Sequence, residues 1–338
     1  MSSFSTSAVS EAGKAVALAV VLTIVAAYVP LIALFVIPAL PLPIGFVTLR
    51  RGVKVGVAAT ACAAVLAGVV TGPTNGLMAL LLAGALGVVL GVALRARRGF
   101  SATLLITGAG ASVALVIWSG LVWVLTGMSV DKVSKLIDES FAAASKAYST
   151  MGMSQASIDA ASQQVRQAVD MIPYVAPSIV AVAGVMLASV SLALAAAVYP
   201  HVGERSVGEL AFSRFRLHWG TAYGYIAGLA LSLLASRFGA HEDTVRLVGL
   251  NLLVFFQTLF FLQGLALVHW FAVSRQMSSG GRMVLYAAAV LGQVMLQLTS
   301  WAGLLDTWFD YRKRYPPQGV GQGPVTPAGP RMNDHEES

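Results

Sequence analysis

Six polar side chains sit inside strongly apolar runs near the C-terminal end of the chain: Asn251, Gln257, Gln263 and His269 in one run, Gln293 and Gln297 in the next. Amide and imidazole groups are costly in hydrocarbon, so they turn toward a bundle interior or a cavity. On a helix, Asn251, Thr258 and His269 share one face while the two glutamines of that run point elsewhere, which predicts a helix surrounded by protein. Gln293, Gln297 and Ser300 fall together on a face of the next helix. With Phe255, Phe256, Phe260, Phe261 and Trp270 nearby, these groups suit a small polar or aromatic ligand. The same groups would equally serve as hydrogen bonds between helices.

Other chemistry finds little support. His201 and Glu204 lie in one loop and His241, Glu242 and Asp243 in another, and neither set has the helical two-histidine spacing of a zinc protease. The chain has no glycine-rich phosphate loop with a lysine and no carboxylate in the middle of an apolar run, which argues against an ATPase and a carboxylate-driven proton pump. The expectation is a protein that is not an enzyme and has no cofactor and no metal.

The elements that must position these residues are membrane helices. Of 338 residues, 57% are hydrophobic and 11% charged, with a mean hydropathy of +0.76. Soluble domains carry about 25% charged residues, and a bilayer is the solvent that suits so apolar a surface. The net charge of +7 falls in short clusters between apolar runs, the pattern of cytoplasmic loops and not of a nucleic-acid interface. Cys62 is the single cysteine, so no intrachain disulfide forms. The first apolar run, 15–49, is too long for a signal-peptide core.

As one helix that run would reach about 50 Å against a hydrocarbon core of about 30 Å. A break at Tyr28-Val29-Pro30 yields two spans, the second interrupted by Pro38, Pro41 and Pro43. Further spans are expected at about 54–70, 76–94, 102–125, 173–198, 219–236, 247–274 and 283–304, eight or nine in all. The predicted fold class is an all-α polytopic transmembrane helical bundle over 15–314, after a short tail at 1–14 and before a disordered, Pro- and Gly-rich tail at 315–338.

Residues 129–170 differ, with four basic and five acidic residues. They read as two amphipathic helices capped by Ser129 and Ser154, with apolar stripes through Val133, Leu136, Ile137, Phe141 and Tyr148, and through Ile158, Ala161, Val165 and Val169. This extramembrane hairpin is expected on the bilayer surface. With the N-terminus inside, the positive-inside rule places Lys14, Arg50, Arg51, Lys54, Arg95, Arg97, Arg98, Arg205, Arg214, Arg216, Arg275 and Arg282 in the cytoplasm and the hairpin outside. Nine spans would then put Arg312, Lys313 and Arg314 outside, so one run is expected to be doubled or re-entrant, with 219–236 the first suspect.

Small residues four apart let helix backbones approach closely in lipid. Gly220, Gly224 and Gly228 form one such row and Gly87 and Gly91 another. Each serves as a packing seam inside the bundle or as a docking face for another subunit.

At the C-terminal end, Phe260-Phe261-Leu262-Gln263-Gly264-Leu265-Ala266 is followed by a segment running from Gly303 through Asp306, Trp308, Asp310 and Arg312. This signature resembles that of the YybS family of bacterial membrane proteins. The Pro41-Leu42-Pro43 element before Arg50-Arg51-Gly52 and the mid-chain hairpin are similar to that family's layout. The resemblance implies a multi-pass protein of a bacterial cytoplasmic membrane. The family is distantly similar to the substrate-capture subunits of energy-coupling-factor transporters, which implies a ligand-binding or transport-related subunit without ATPase activity. The alternative is a non-transporting scaffold that docks partner proteins. The expected partners are the lipid bilayer, other membrane subunits and a small molecule, and no nucleic acid. A ligand-sized cavity near Gln263 and Gln297 would favour the first reading, a solid core the second.

Overall fold

The computed structural model describes residues 6–127, 129–207 and 212–314, without the side chains of residues 130, 131, 133, 134, 168 and 170–173. The expected C-terminal tail and the Val133 side chain lie outside these described residues. The described chain is helical, and eight segments are long and apolar enough to cross a membrane.

The N-terminal half begins with α1 (Thr6–Tyr28), so helix starts well before the expected end of a tail at residue 14. A single residue, Val29, separates it from α2 (Pro30–Val36), and a 3₁₀ turn at Ile37–Ala39 leads to α3 (Pro41–Arg51). Prolines occupy the first turn of α2, of that 3₁₀ turn and of α3, where a missing N–H costs least. The carbonyls left free there find partners on a distant helix. Ser191 donates to the Pro38 carbonyl at 2.8 Å and Tyr199 to the Leu42 carbonyl at 2.7 Å.

Helix α4 (Val53–Thr71) follows a turn at Gly52, whose φ of 92° is left-handed and favours glycine. Then α5 (Pro73–Met78) passes through a π-helical stretch at Ala79–Ala85 into α6 (Leu86–Arg95). Helix α3 lies directly on α6: a Cβ at Gly87 would stand 2.7 Å from the Pro41 carbonyl, and one at Gly91 2.5 Å from Thr48 Cβ. The seam at Gly87 and Gly91 is therefore an internal one.

Helix α7 (Phe100–Thr126) leads to the hairpin. Helix α8 (Val130–Thr150) is capped by Ser129, which accepts from the Lys132 N–H, and α9 (Gln155–Val198) by Ser154, which accepts from the Ser157 N–H. Leu136, Ile137, Phe141, Ala144 and Val165 line a 390 Å³ cleft between the two helices. The expected pair of separate surface helices needs correction, because α9 runs unbroken for 44 residues into the span. Pro173 and Pro177 do not end it. At that point Asn251 accepts from the Ser178 N–H at 2.9 Å and donates to the Tyr174 carbonyl at 2.8 Å, serving both groups of one helical rung.

The C-terminal half holds α10 (Thr221–Leu234), α11 (Glu242–Ser274), α12 (Ser279–Leu296), α13 (Leu298–Phe309) and α14 (Tyr311–Arg314). Helices α10 and α11 run antiparallel: Gly224 faces Phe256, Gly228 faces Leu253, and Ser232 faces Gly249. Gly220 is not part of this seam, since a Cβ there would meet only His218, two residues away. The seam is thus Gly224, Gly228 and Gly249, and it packs α10 onto α11.

The predicted span at 283–304 is not one helix. Gln297 adopts φ 55° and ψ 25°, ending α12 and capping α13. Thr299 Oγ1 then donates back to the Ala289 carbonyl at 2.6 Å, and Ser300 N–H to Gln293 Oε1 at 3.0 Å, so the chain doubles back. The doubled run expected from the charge pattern is this one, and the first suspect, 219–236, pairs with α11 as an ordinary antiparallel helix. The physical consequence is that Arg312 reaches Ser213 and Asp310 reaches Arg216. The C-terminal basic cluster therefore lies at the same end of the bundle as the arginine-rich loop after α9.

Candidate functional site

Gln263 is the centre of the polar interior. It is fully buried, and three of the four hydrogen bonds its amide can make are made within the protein. Its Oε1 accepts from the Leu217 N–H at 2.9 Å, and its Nε2 donates to Asp306 Oδ2 and to Thr307 Oγ1, each at 3.2 Å. Helix α11 and helix α13 can approach closely enough for this because glycines meet at their crossing. A Cβ on Gly264 would stand 2.8 Å from the Thr299 carbonyl carbon, and one on Gly303 would overlap the Phe260 carbonyl oxygen and lie 2.7 Å from Gly264 N. Gly303 of the C-terminal signature is thus needed for backbone contact.

Asp306 is also fully buried. Its Oδ1 accepts from the Tyr311 N–H at 3.2 Å. Its Oδ2 lies 3.4 Å from Arg312 Nη2, close enough for an ion pair though not aligned as a hydrogen bond. The Arg312 side chain is 10% exposed, and its Nη1 donates to the Ser213 carbonyl at 2.6 Å. Burial lowers the Arg312 pKa, opposed by the Asp306 charge. Such a pair is held together mostly by the cost of leaving either charge alone.

The carboxylate that pairs with an arginine of another loop is Asp310. Its Oδ2 accepts from Arg216 Nη1 at 2.8 Å, with Lys313 Nζ at 3.2 Å. Burial works to raise the Asp310 pKa, but hydrogen bonds from Arg216 and Lys313 outweigh it and hold the carboxyl below its ordinary value. Arg216 is itself positioned by Ser101, which accepts from the Arg216 N–H and donates to its carbonyl. Phe215, fully buried, stacks edge-on against Phe100. Trp308 and Phe309 are half exposed, and Phe309 lies under the Arg314 guanidinium.

The other polar candidates are dispersed. Asn251 ties α11 to α9, as described. Gln293 Oε1 holds the Ser300 N–H and hydroxyl, each at 3.0 Å. Gln257 contributes its backbone carbonyl, which accepts from Ser300 Oγ at 3.2 Å. His269 Nδ1 meets the Tyr286 hydroxyl, while Gln297 is exposed at the turn. The six do not converge on one cavity. Among the described residues no group of three His, Cys, Asp or Glu side chains could hold a metal ion.

From the sequence Arg216 was read only as a loop charge, and Ser213, Thr307 and Ser101 were not singled out. The alternation Phe212-Ser213-Arg214-Phe215-Arg216 was the available signal, since aromatic residues beside arginines mark a loop folded onto a core.

No curated protein and no solved structure matches the chain. One family, described as a predicted membrane protein (DUF2232), matches residues 17–307. That match spans every helix from α1 to the Gln263–Asp306 crossing, and the chain belongs to this membrane protein family.

Proposed function

We propose that the protein is a scaffold subunit of a bacterial cytoplasmic membrane, which docks another membrane protein and catalyses no reaction itself. One observation carries this reading. The polar groups that a ligand site inside the bundle would use, Gln263 above all, are consumed by bonds between helices. A closed polar core fixes one arrangement of helices and leaves function to the surfaces.

The α8–α9 hairpin is the surface that fits. It carries both charge signs, and Leu136, Tyr148 and Val165 stand 52%, 43% and 39% exposed along amphipathic helices. The occupant that suits them is an amphipathic helix of a partner with its own mixed charges. The ion pair within the hairpin, Arg166 with Asp138 at 3.7 Å, is open to solvent and contributes little.

A second reading, the substrate-capture subunit implied by the resemblance to the YybS family, draws support from interrupted helices. The π-helical stretch at Ala79–Ala85 and the break at Gln297 are devices found at ligand sites in membranes.

The test is co-isolation from native membranes in lipid nanodiscs, comparing the parent with a Leu136→Glu/Val165→Glu variant. The scaffold reading expects a stoichiometric partner that the variant loses while its own fold and insertion persist. Equal recovery from both would overturn the hairpin's role.

A further inference from the structure

A second concave feature lies at the arginine-rich end of the bundle, apart from the Gln263 core. It is a cavity of 540 Å³ between the α6–α7 loop and the segment after α9. Arg97, Arg98, Gly99, Phe100, Ser101 and Arg214 line it. That volume is in the range of small-molecule sites, roughly 300–1,000 Å³. We propose that this cavity binds a phosphate-bearing anion, presented either as the headgroup of an anionic lipid or as a free phosphate ester.

Three arginines from two separate chain segments line one space, and no other side-chain type matches phosphate so well. Among the described residues, Arg97, Arg98 and Arg214 make no ion pair. Several arginines at the same end are engaged: Arg50 with Glu11 and Glu204, Arg51 with Glu11, Arg216 with Asp310, and Arg312 with Asp306. What sets Arg97, Arg98 and Arg214 apart from the other basic residues is that all three line one cavity without a carboxylate partner among the described residues.

The lining also has an apolar side. Phe100 and Val207, buried against the core, also line the cavity, so apolar and basic groups share its wall. Gly99, Phe100, Ser101 and Ala102, at the start of the 27-residue α7, line the same space, and a helix N-terminus adds to its preference for an anion. The positive-inside rule assigns this end to the cytoplasmic leaflet, where anionic headgroups lie within reach of basic pockets between helices.

The experiment uses the full chain purified in mild detergent. Phosphatidylglycerol and phosphatidylcholine are added in equal amounts, and retained lipid is counted by native mass spectrometry. Arg98→Gln/Arg214→Gln removes two of the three guanidiniums, and Lys54→Gln/Arg275→Gln removes the same charge elsewhere. The proposal expects at least a tenfold loss of phosphatidylglycerol from the first variant and little from the second. A parallel arm measures thermal stabilisation by inorganic phosphate at constant ionic strength without lipid. Stabilisation of the parent but not of the pocket variant, with no lipid selectivity, assigns the free anion as the source.

Equal lipid retention by both variants, with no phosphate effect, overturns the proposal. Both pocket substitutions are at exposed positions, and Arg214→Gln alone provides a milder variant should the double one fold poorly.

Discussion

Gly303→Ala is the perturbation that most sharply probes the crossing of α11 and α13. The added methyl group would overlap the Phe260 carbonyl oxygen and stand 2.7 Å from Gly264 N, whereas ordinary contacts begin near 3.4 Å. Both obstacles are backbone, so neither can rotate away, and the helices must part by roughly 1 Å. The Gln263 bonds to Asp306 and Thr307 are already long at 3.2 Å, and that displacement carries them beyond hydrogen-bonding range. Overpacking costs about 1–3 kcal/mol, and leaving a buried polar group unpaired costs about 1–3 kcal/mol more. Bonds between membrane helices average less, about 0.6 kcal/mol, so the expected loss is on the order of 2–4 kcal/mol. The control is Gly292→Ala in α12, where the nearest atom to the new Cβ is at 3.5 Å and helix propensity favours alanine by about 1 kcal/mol. Unfolding in mixed micelles, followed by tryptophan fluorescence, reads both. Equal stability of Gly303→Ala and the parent would mean that the two backbones do not touch, and the account of the polar core would fall with them.

Three further outcomes follow from the same geometry. Asp306→Asn leaves the Arg312 guanidinium, 10% exposed, without its countercharge and should cost about 3 kcal/mol, of which Asp306→Asn/Arg312→Met regains part; a single variant as stable as the double one refutes the buried pair. Asp310 has its pKa lowered in the folded state, so the unfolded chain takes up its proton more readily. Its stabilisation is complete above the ordinary value of 3.8 and is lost as pH falls through the lower folded pKa. The stability gap between parent and Asp310→Asn should therefore close in acid, and a gap independent of pH contradicts the pairing with Arg216 and Lys313. Asn251→Ala should speed hydrogen exchange at Ser178 by at least tenfold and lower stability by about 1–2 kcal/mol; unchanged exchange would show that α9 holds its own rung there.

Much of this architecture was legible in the sequence because hydrophobic length and proline placement act locally. The runs at 54–70 and 102–125 became α4 and α7, and Pro30 and Pro41 open helices. Ser129 and Ser154 cap the hairpin helices because a side-chain oxygen at that position meets a free N–H two or three residues on. What was not legible depends on partners far along the chain. The turn at Gln297 leaves no mark in hydropathy, since the run stays apolar through residue 304 and glutamine has no special taste for positive φ. Helix α9 continues past two prolines because Asn251, more than seventy residues later, serves its backbone. The neighbours of Asp306, Trp308 and Arg312, suit a membrane boundary, yet the carboxylate is buried because Gln263, 43 positions earlier, bonds to it. Of the candidate amides, Asn251, Gln263 and Gln293 bond between segments while Gln297 is exposed, a division that depends on distant partners and not on local hydropathy.

The most direct test of the central claim, a closed polar core that serves structure alone, is native mass spectrometry of the chain released from native-lipid nanodiscs. The account predicts that no non-lipid small molecule is bound stoichiometrically to the bundle, and that Gln263→Leu changes stability without changing what is bound. A metabolite retained one to one by the parent and lost from a folded Gln263→Leu variant would contradict it and make Gln263 a ligand-binding residue.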